Sequence, residues 1–594
     1  MAADKATQHS VLSTQHFAWR EIVGAIVVLI TRVITAPISP WENDEFLFAE
    51  AVKKFDPSNY HPHPPGYPLF VLLGKGVNAF VHDPWRALMI VSIVAAPVGF
   101  VALARAFRNW IDDADLAVAG ALLYYFSASM LVHGTLALSD GVSIAFLALA
   151  LHAFSRPTGG QPTADQRSAL LLGLWASAAI GCRPQLAVPM IPMVVVGLWR
   201  MRTTKERLTS AITFAFVSLM WLLPLVDAAG GVSNVIAYET KQAAYVASHD
   251  AAMSRGAMSV GQIIVRFLLH PWGSKYLTLP LLLCIALGAQ AFMRRWRALL
   301  PLVVFTAVQL AFEIFTMDPA DGARYSLPSM ILIALVAALG FDVIRRSVHL
   351  RVAPYLATAL FAAGAWLYVA PIVVTRAREA SPPVAAAQYA ASHFAPGTVV
   401  LYDTALKPHA EYLFARFHPT PIEKGLHDFY DRPDVPLAQF VDGGSNVAEA
   451  RTFVWPASDA YGKLTRNLYR QVTLDPVRPE ERYLPVSGVF ALERTIAGDE
   501  WRWLERDASI RLHVMAPAAV LAFGISPDAP YDATPVQVNA QSIVVRKGEI
   551  ARVSVPLSTG DIHIVTQQAF SPATVLHNQD PRTLAVQLRG VEQH

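Results

Sequence analysis

The sequence predicts a polytopic α-helical membrane protein of about eleven spans, followed by a soluble C-terminal part made of a small α/β unit and a β-sandwich. Three observations carry that prediction. The 594 residues are 54% hydrophobic and only 16% charged, against roughly a quarter charged in ordinary globular domains. The apolar residues crowd into runs of about 16 to 25 between positions 20 and 375, the length needed to cross a bilayer core of about 30 Å. Beyond 375 the chain returns to ordinary globular composition.

The eleven candidate spans lie near 20–37, 86–104, 115–132, 137–155, 168–182, 185–200, 208–226, 276–293, 298–316, 325–343 and 352–374. Alternate loops hold the basic residues: Arg105/Arg108, Arg156/Arg167, Arg200/Arg202/Lys205/Arg207, Arg294/Arg295/Arg297 and Arg345/Arg346/Arg351. Positive charge collects on the cytoplasmic side of membrane proteins, so this bias predicts a cytoplasmic N-terminus and, with an odd span count, a C-terminal part outside. In a bacterium this is the inner membrane, with the C-terminal domain periplasmic or extracellular. The net charge of +3 therefore reads as topology and not as a nucleic-acid surface. Cys182 and Cys284 both fall inside apolar segments, which leaves no disulfide framework and no Cys/His metal spacing. The first apolar run follows about twenty polar residues and has no small-residue cleavage site behind it, so it is expected to be retained as a span.

These features divide the chain into a membrane domain, 1–375, with long external loops at 38–85 and 227–275, then an α/β unit at 376–484 and a β-sandwich at 485–594. The segment 67–81, YPLFVLLGKGVNAFV, is apolar but short and carries Lys75, which suits a helix lying in the interface. After 485, short runs such as SIRLHV, ARVSVPL and DIHIVTQ alternate apolar and polar residues between turns, the pattern of a sandwich.

The first external loop is the richest in chemistry. Glu42, Asp44 and Glu45 cluster just after the first span. A carboxylate at the wet edge of a membrane cavity suits a general base; acids in a first helical turn equally suit capping and the helix dipole. His61 and His63 are set in a stiff turn with Pro62, Pro64, Pro65, Gly66 and Tyr67. Their i,i+2 spacing puts the two rings on opposite sides, which argues against a shared metal. Asp140, Arg183 and Arg324 stand at the external ends of three other hairpins, and charges in apolar surroundings are costly enough to be purposeful. Arg32 and Glu313 lie deeper and are expected to form an ion pair between helices.

Taken in order, these motifs resemble the polyprenyl-phosphate-sugar-dependent membrane glycosyltransferases of the GT-C class, with the protein O-mannosyltransferases and the aminoarabinose–lipid A transferases as the nearest families. The acidic pair of those families is matched by Asp44-Glu45 in NDEFLFAEAV, their Pro-Pro turn by HPPGYPLF at 63–70, their acid at a span entry by Asp140 in LSDG, and their Arg-Tyr entry to a late span by RYSLP at 324–328. The form HPPGYPL…LLGK is similar to a bacterial branch. The lipid A enzymes carry Lys before the Pro pair where this chain has His63.

The resemblance covers 20–375 and implies a GT-C-like fold. It also implies inverting transfer of a sugar from a polyprenyl-phosphate donor to a hydroxyl on a glycan, lipid or protein, at the external face of the bilayer. It makes Asp44, then Glu45, the base. Arg324 with its neighbour Tyr325, Lys75, His61, His63 and Arg183 become the donor-phosphate set, and Asp140 a sugar- or acceptor-orienting group. No cofactor is implied, and a divalent metal stays open. The competing reading is a transporter or flippase of a lipid-linked sugar, which would favour internal repeats and mid-span charges. This chain gathers its charges at one interface. Eleven spans also exceed what a mere anchor for a binding protein requires.

Overall fold

The computed structural model describes residues 19–155, 162–251, 258–466, 468–578 and 580–594; Arg156 of the basic-loop series lies outside them. The chain divides into two compact units, Met1–Ala380 with Pro456–Asn467, and Ser381–Trp455 with Leu468–His594.

The first unit is helical. It comprises α1 (19–34), α2 (Asn43–Lys53), α3 (Pro68–Val81), α4 (Pro84–Ile111), α5 (Ala114–Tyr125), α6 (Ala128–His133), α7 (Ser139–Ser155), α8 (Pro162–Cys182), α9 (Ala187–Arg200), α10 (Thr204–Ala228), α11 (Val232–Tyr245), α12 (Val260–Leu268), α13 (Lys275–Thr316), α14 (Gly322–Tyr325), α15 (Met330–Val348) and α16 (Ala353–Arg378). Starts are fixed by local chemistry. Asp83 accepts from Arg86 N ahead of Pro84, Asp113 accepts from Asp115 N and Leu116 N, and Thr203 accepts from Glu206 N. Each side chain thereby satisfies N–H groups that the helix cannot.

All eleven predicted segments are largely helical, though by length and composition fewer of them qualify as full spans. Among the described residues four segments are long and apolar enough to cross a bilayer: Pro84–Ile111, Thr204–Ala228, Lys275–Thr316 and Ala353–His393. A fifth arises if Pro319–Tyr325 and Met330–Val348, bent by 60°, count as one. The difference has local causes. The predicted span 115–132 breaks at Phe126 and Ser127, where Ser127 caps α6, and 12 residues of α5 rise only about 18 Å. Segments 276–293 and 298–316 form one helical stretch of 42 residues, about 63 Å if straight. Yet Arg266, just before it, donates to the Pro319 carbonyl, just after it, at 3.3 Å. The stretch therefore doubles back, and Ala298 near its middle accepts from Arg200 in the basic α9–α10 junction.

Glycines let the helices close up. A Cβ on Gly288 would strike the Val336 carbonyl, and one on Gly340 the Cys284 carbonyl, so α13 and α15 meet backbone to backbone as small residues allow in membranes. Large apolar side chains, among them Ile26, Ile30, Ile212, Phe216, Leu283 and Leu360, are exposed on the outside, as a lipid-facing surface requires. The expected Arg32–Glu313 ion pair is absent. Arg32 donates to the Tyr125 carbonyl at 2.6 Å, and Glu313 accepts from Gln309 at 2.8 Å and Ser329 at 3.3 Å. Arg32 thus meets a neutral carbonyl of α5, and Glu313 a neutral amide of its own helix and the hydroxyl of Ser329 ahead of α15.

The second unit begins with a five-stranded sheet of β1 (Val399–Tyr402), β2 (Thr420–Pro421), β3 (Leu437–Asp442), β4 (Arg451–Val454) and β5 (Gln471–Val477), ordered β2-β1-β3-β5-β4. β1 runs parallel to β2 and β3, whereas β5 is antiparallel to β3 and β4. The remaining strands are β6 (Leu484–Arg494), β7 (Glu500–Arg511), β8 (Ala518–Gly524), β9 (Ala533–Val538), β10 (Gln541–Arg546), β11 (Ala551–Pro556), β12 (Asp561–Thr566) and β13 (Gln587–Gln593). They form one antiparallel sheet ordered β10-β9-β12-β7-β13-β8-β11, with β6 on β7. The sequence pattern suggested two stacked sheets; here one sheet curls until its edge strands β10 and β11 approach. Alternate residues such as Val536, Val538, Ile562 and Ile564 fill a single core. Alternation reports a half-buried strand and does not distinguish a curled sheet from a sandwich.

Candidate active site

Four turns of the helical unit converge on one cluster of charges. Asp44 comes from the first turn of α2, Asp140 from the first turn of α7, Arg183 follows α8, and Arg324 lies on α14. Arg324 is the hub. Its Nε donates to Asp140 Oδ2 at 3.0 Å, and its Nη1 donates to Asp44 Oδ2 at 3.0 Å and to Asp321 Oδ2 at 3.2 Å. The other oxygen of Asp140 pairs with Arg183. Tyr325 completes the group: its ring takes the guanidinium of Arg183 at 5.6 Å and that of Arg324 at 5.8 Å, a cation–π arrangement.

The turn that presents Arg324 is held on every side. Asp318 accepts from Ala320 N at 2.8 Å and caps the short helix Pro319–Asp321. Ser129 donates to the Ala323 carbonyl, and Tyr124 donates to the Leu327 carbonyl at 2.9 Å. The 60° bend before α15 then turns the arginine toward α2 and α7.

His63 faces the same cluster, with Nδ1 4.0 Å from Asp44 Oδ1 and Nε2 3.2 Å from the Tyr67 hydroxyl, which also accepts from Gln185 at 2.7 Å. Burial pushes His63 below the ordinary imidazole range despite the pull of Asp44, so at neutral pH the ring is uncharged. Burial by itself would raise Asp44, but His63 when protonated at low pH, then the permanently charged Arg324 and its hydrogen bond, outweigh it and hold the carboxyl at about 2.

Glu45 has another task. Fully buried, its carboxylate accepts from Trp41 N at 2.7 Å, Glu42 N at 2.9 Å, Trp85 Nε1 at 3.0 Å and Ala137 N at 2.9 Å. Burial raises its carboxyl and the four N–H donors pull it back. It closes one half of a capping box and ties α2 to α4 and to the turn before α7. Lys75 is exposed on α3 with its ammonium 5.9 Å from the Phe55 ring, and His61 is engaged in a β-bridge with Asp56; neither is brought into the cluster. Among the described residues no three His, Cys, Asp or Glu side chains converge as a metal site; the three aspartates meet around a guanidinium.

Sequence reasoning missed two further ion pairs. Arg376 Nη2 reaches Glu42 Oε1 at 2.7 Å, and Arg466 Nε reaches Asp318 Oδ2 at 3.1 Å. Arg376 had a signal, as a cation in the last turn of the final span. Arg466 had none, because nothing in its local sequence marks it as part of the helical unit.

Residues 61–226 match the family described as dolichyl-phosphate-mannose-protein mannosyltransferase. The match contains His61, His63, Lys75, Asp140 and Arg183, and leaves Asp44 and Arg324 outside it. No curated protein matches the sequence. The crystal structure of ArnT from Cupriavidus metallidurans in the apo state is similar with a TM-score of 0.52 at 12% identity, covering 78% of this chain and 98% of that one. The same protein bound to undecaprenyl phosphate gives 0.50 at 13% identity, covering 76% and 97%. The archaeal oligosaccharyltransferase AglB from Archaeoglobus fulgidus gives 0.46 at 10% identity over 95% of each chain, too loose a likeness to argue from. The resemblance read from the motifs therefore stands: this is a membrane protein with the fold of the GT-C class of glycosyltransferases.

Proposed function

We propose that this protein transfers a sugar from a polyprenyl-phosphate-linked donor to a hydroxyl acceptor at the external face of the membrane, with inversion at the anomeric carbon. The observation that carries the reading is the single guanidinium of Arg324 shared between Asp44 and Asp140. It sets a cation for a phosphate beside a carboxylate for a hydroxyl.

The chemistry needs little else. A phosphate leaves well without an acid, so the barrier falls when the hydroxyl loses its proton and the departing oxygen finds positive charge. Asp44 takes the acceptor proton, the acceptor oxygen bonds to the anomeric carbon from the face opposite the phosphate, and the carbon–oxygen bond to phosphate breaks. The electron pair stays on the lipid phosphate, where Arg324 and Arg183 hold it. Asp140, engaged by both arginines, fixes their forks and is the group placed to orient sugar or acceptor. A carboxyl held at about 2 is a poor base, and the donor improves it. A phosphate that engages Arg324 weakens the pull on Asp44 and brings negative charge beside it, and both effects raise its affinity for a proton.

The test is Asp44→Asn in purified protein supplied with a polyprenyl-phosphate sugar. α2 is capped by Glu42 and Glu45 and not by Asp44, and the Asn amide oxygen can still accept from Arg324, so the fold is kept while the base is lost, and turnover should fall by roughly 10² or more. Near-normal turnover would remove Asp44 from the mechanism.

A further inference from the structure

We infer that Arg466, on the stretch Pro456–Asn467 that belongs to the helical unit, is a positioning residue for the donor-phosphate cation. The inference rests on the transfer reading above and adds a part that the site cluster alone does not show.

The connection that contains this stretch is unusual for its place in the sheet. β4 and β5 are adjacent antiparallel strands, with Val454 opposite Gln471, and such neighbours are ordinarily joined by about two to five residues. Here the chain runs on through 455–470, and Pro456–Asn467 packs with the helical unit. The excursion is built as a helix, Asp459–Leu464, capped by Ser458, which accepts from Tyr461 N. It is tied down at both ends. Tyr368 of α16 donates to Asp459 at 2.9 Å, and the imidazole of the buried His133 on α6 meets the Leu464 carbonyl at 2.7 Å.

Two residues later Arg466 donates from Nε to Asp318 at 3.1 Å. Asp318 is almost wholly buried, and its other oxygen caps the turn Pro319–Asp321. That turn carries Asp321, the Arg324 partner, and leads directly into Arg324. A relay thus runs from Arg466 through Asp318 and the capped turn to the guanidinium that would hold the phosphate. The charge of Arg466 also reaches the cluster, where it helps to keep Asp44 ionised.

The experiment compares Arg466→Ala, Arg466→Lys and Asp318→Asn with the wild-type full chain, by transfer kinetics and by amide hydrogen exchange of residues 318–324. Asp318→Asn keeps an oxygen for Ala320 N and removes only the charge that Arg466 meets. For Arg466→Ala the donor KM should rise about tenfold or more, in line with a lost charge-assisted bond, with kcat and the acceptor KM within about twofold; Lys should recover part of it. A loss of folded protein would lower kcat and leave KM alone. The double variant Arg466→Ala/Asp318→Asn should be no worse than the poorer single one, because both cut one relay. Exchange at 318–324 should quicken in each single variant. Unchanged donor KM, additive losses or unaltered exchange each overturn the role given to Arg466. If the wild-type chain transfers no sugar, the transfer reading falls, and the exchange comparison still decides whether Arg466 holds this turn.

Discussion

Glu45 Oε1 accepts the indole N–H of Trp85 at 3.0 Å across forty positions of sequence, and the same oxygen accepts Ala137 N. The neighbour of the proposed base is therefore a fastener between α2, α4 and the turn entering α7. Replacing it by Gln turns one acceptor end into an NH₂ that faces N–H donors. Glu45→Gln is expected to lower the thermal midpoint of the purified protein clearly, by about 1–3 kcal/mol of lost buried hydrogen bonding. Its residual folded fraction should keep most of its turnover. A stable Glu45→Gln protein that has lost turnover a hundredfold would instead return Glu45 to the chemistry.

Arg324 serves three carboxylates with a planar fork, and Lys supplies a point charge without that geometry. Arg324→Ala should weaken donor binding by at least about tenfold, since it removes a charge-assisted contact; Arg324→Lys should restore only part. Asp140→Asn is the companion. It leaves Arg183 and Arg324 facing each other with one neutral partner between them, so it should reduce turnover even where the donor still binds. Direct binding of polyprenyl phosphate to each purified variant separates the two effects. Equal binding by wild type and Arg324→Ala would reduce the arginine to a neutraliser of Asp321.

Much of this site was legible because charges in apolar sequence are few. Asp140, Arg183 and Arg324 stood out singly, and hairpin parity predicted them on one side; the structure joins them through the carboxylate of Asp140. Two things were not legible. Asp44 and Glu45 are adjacent acids of equal chemistry, and only the position of Trp85 and Ala137 decides which is buried as a cap. Arg466 belongs to a stretch of soluble composition whose packing partner lies about 150 residues upstream at Asp318, and no local pattern encodes such a pairing. The second unit shows a third limit. Period-2 alternation located the strands but left open how one sheet would close on its core.

Orientation is open to a direct check. The basic clusters at 200–207 and 294–297 come together through the Arg200 contact with Ala298, whereas Asp44, Asp140, Arg183 and Arg324 gather elsewhere in the unit. If the basic side is cytoplasmic, a reporter active only in the periplasm should work when fused after His594 and fail when inserted between Arg202 and Lys205. The opposite result would place the acidic cluster in the cytoplasm, away from the external face named in the proposal.

The pH dependence of transfer should differ between the free protein and its donor complex. A base works only when ionised, so activity is lost as pH falls through its pKa. In the free protein Asp44 sits at about 2, below the ordinary carboxylate value of about 3.9, so it stays ionised throughout the accessible range. kcat/KM, which reports groups of the free protein, should therefore show no acid limb from Asp44 above about pH 4. kcat reports the complex. There a bound phosphate competes for Arg324 and adds negative charge, both of which raise the Asp44 pKa. kcat should therefore fall on the acid side at a higher pH than kcat/KM does. Arg324→Lys, which keeps the charge and loosens its hold on Asp44, should move the kcat/KM limb upward toward that of kcat. Profiles measured from about pH 4 to 9 with a soluble acceptor decide the matter. Coincident acid limbs for kcat and kcat/KM in the wild-type protein would mean that the donor does not tune Asp44 through Arg324.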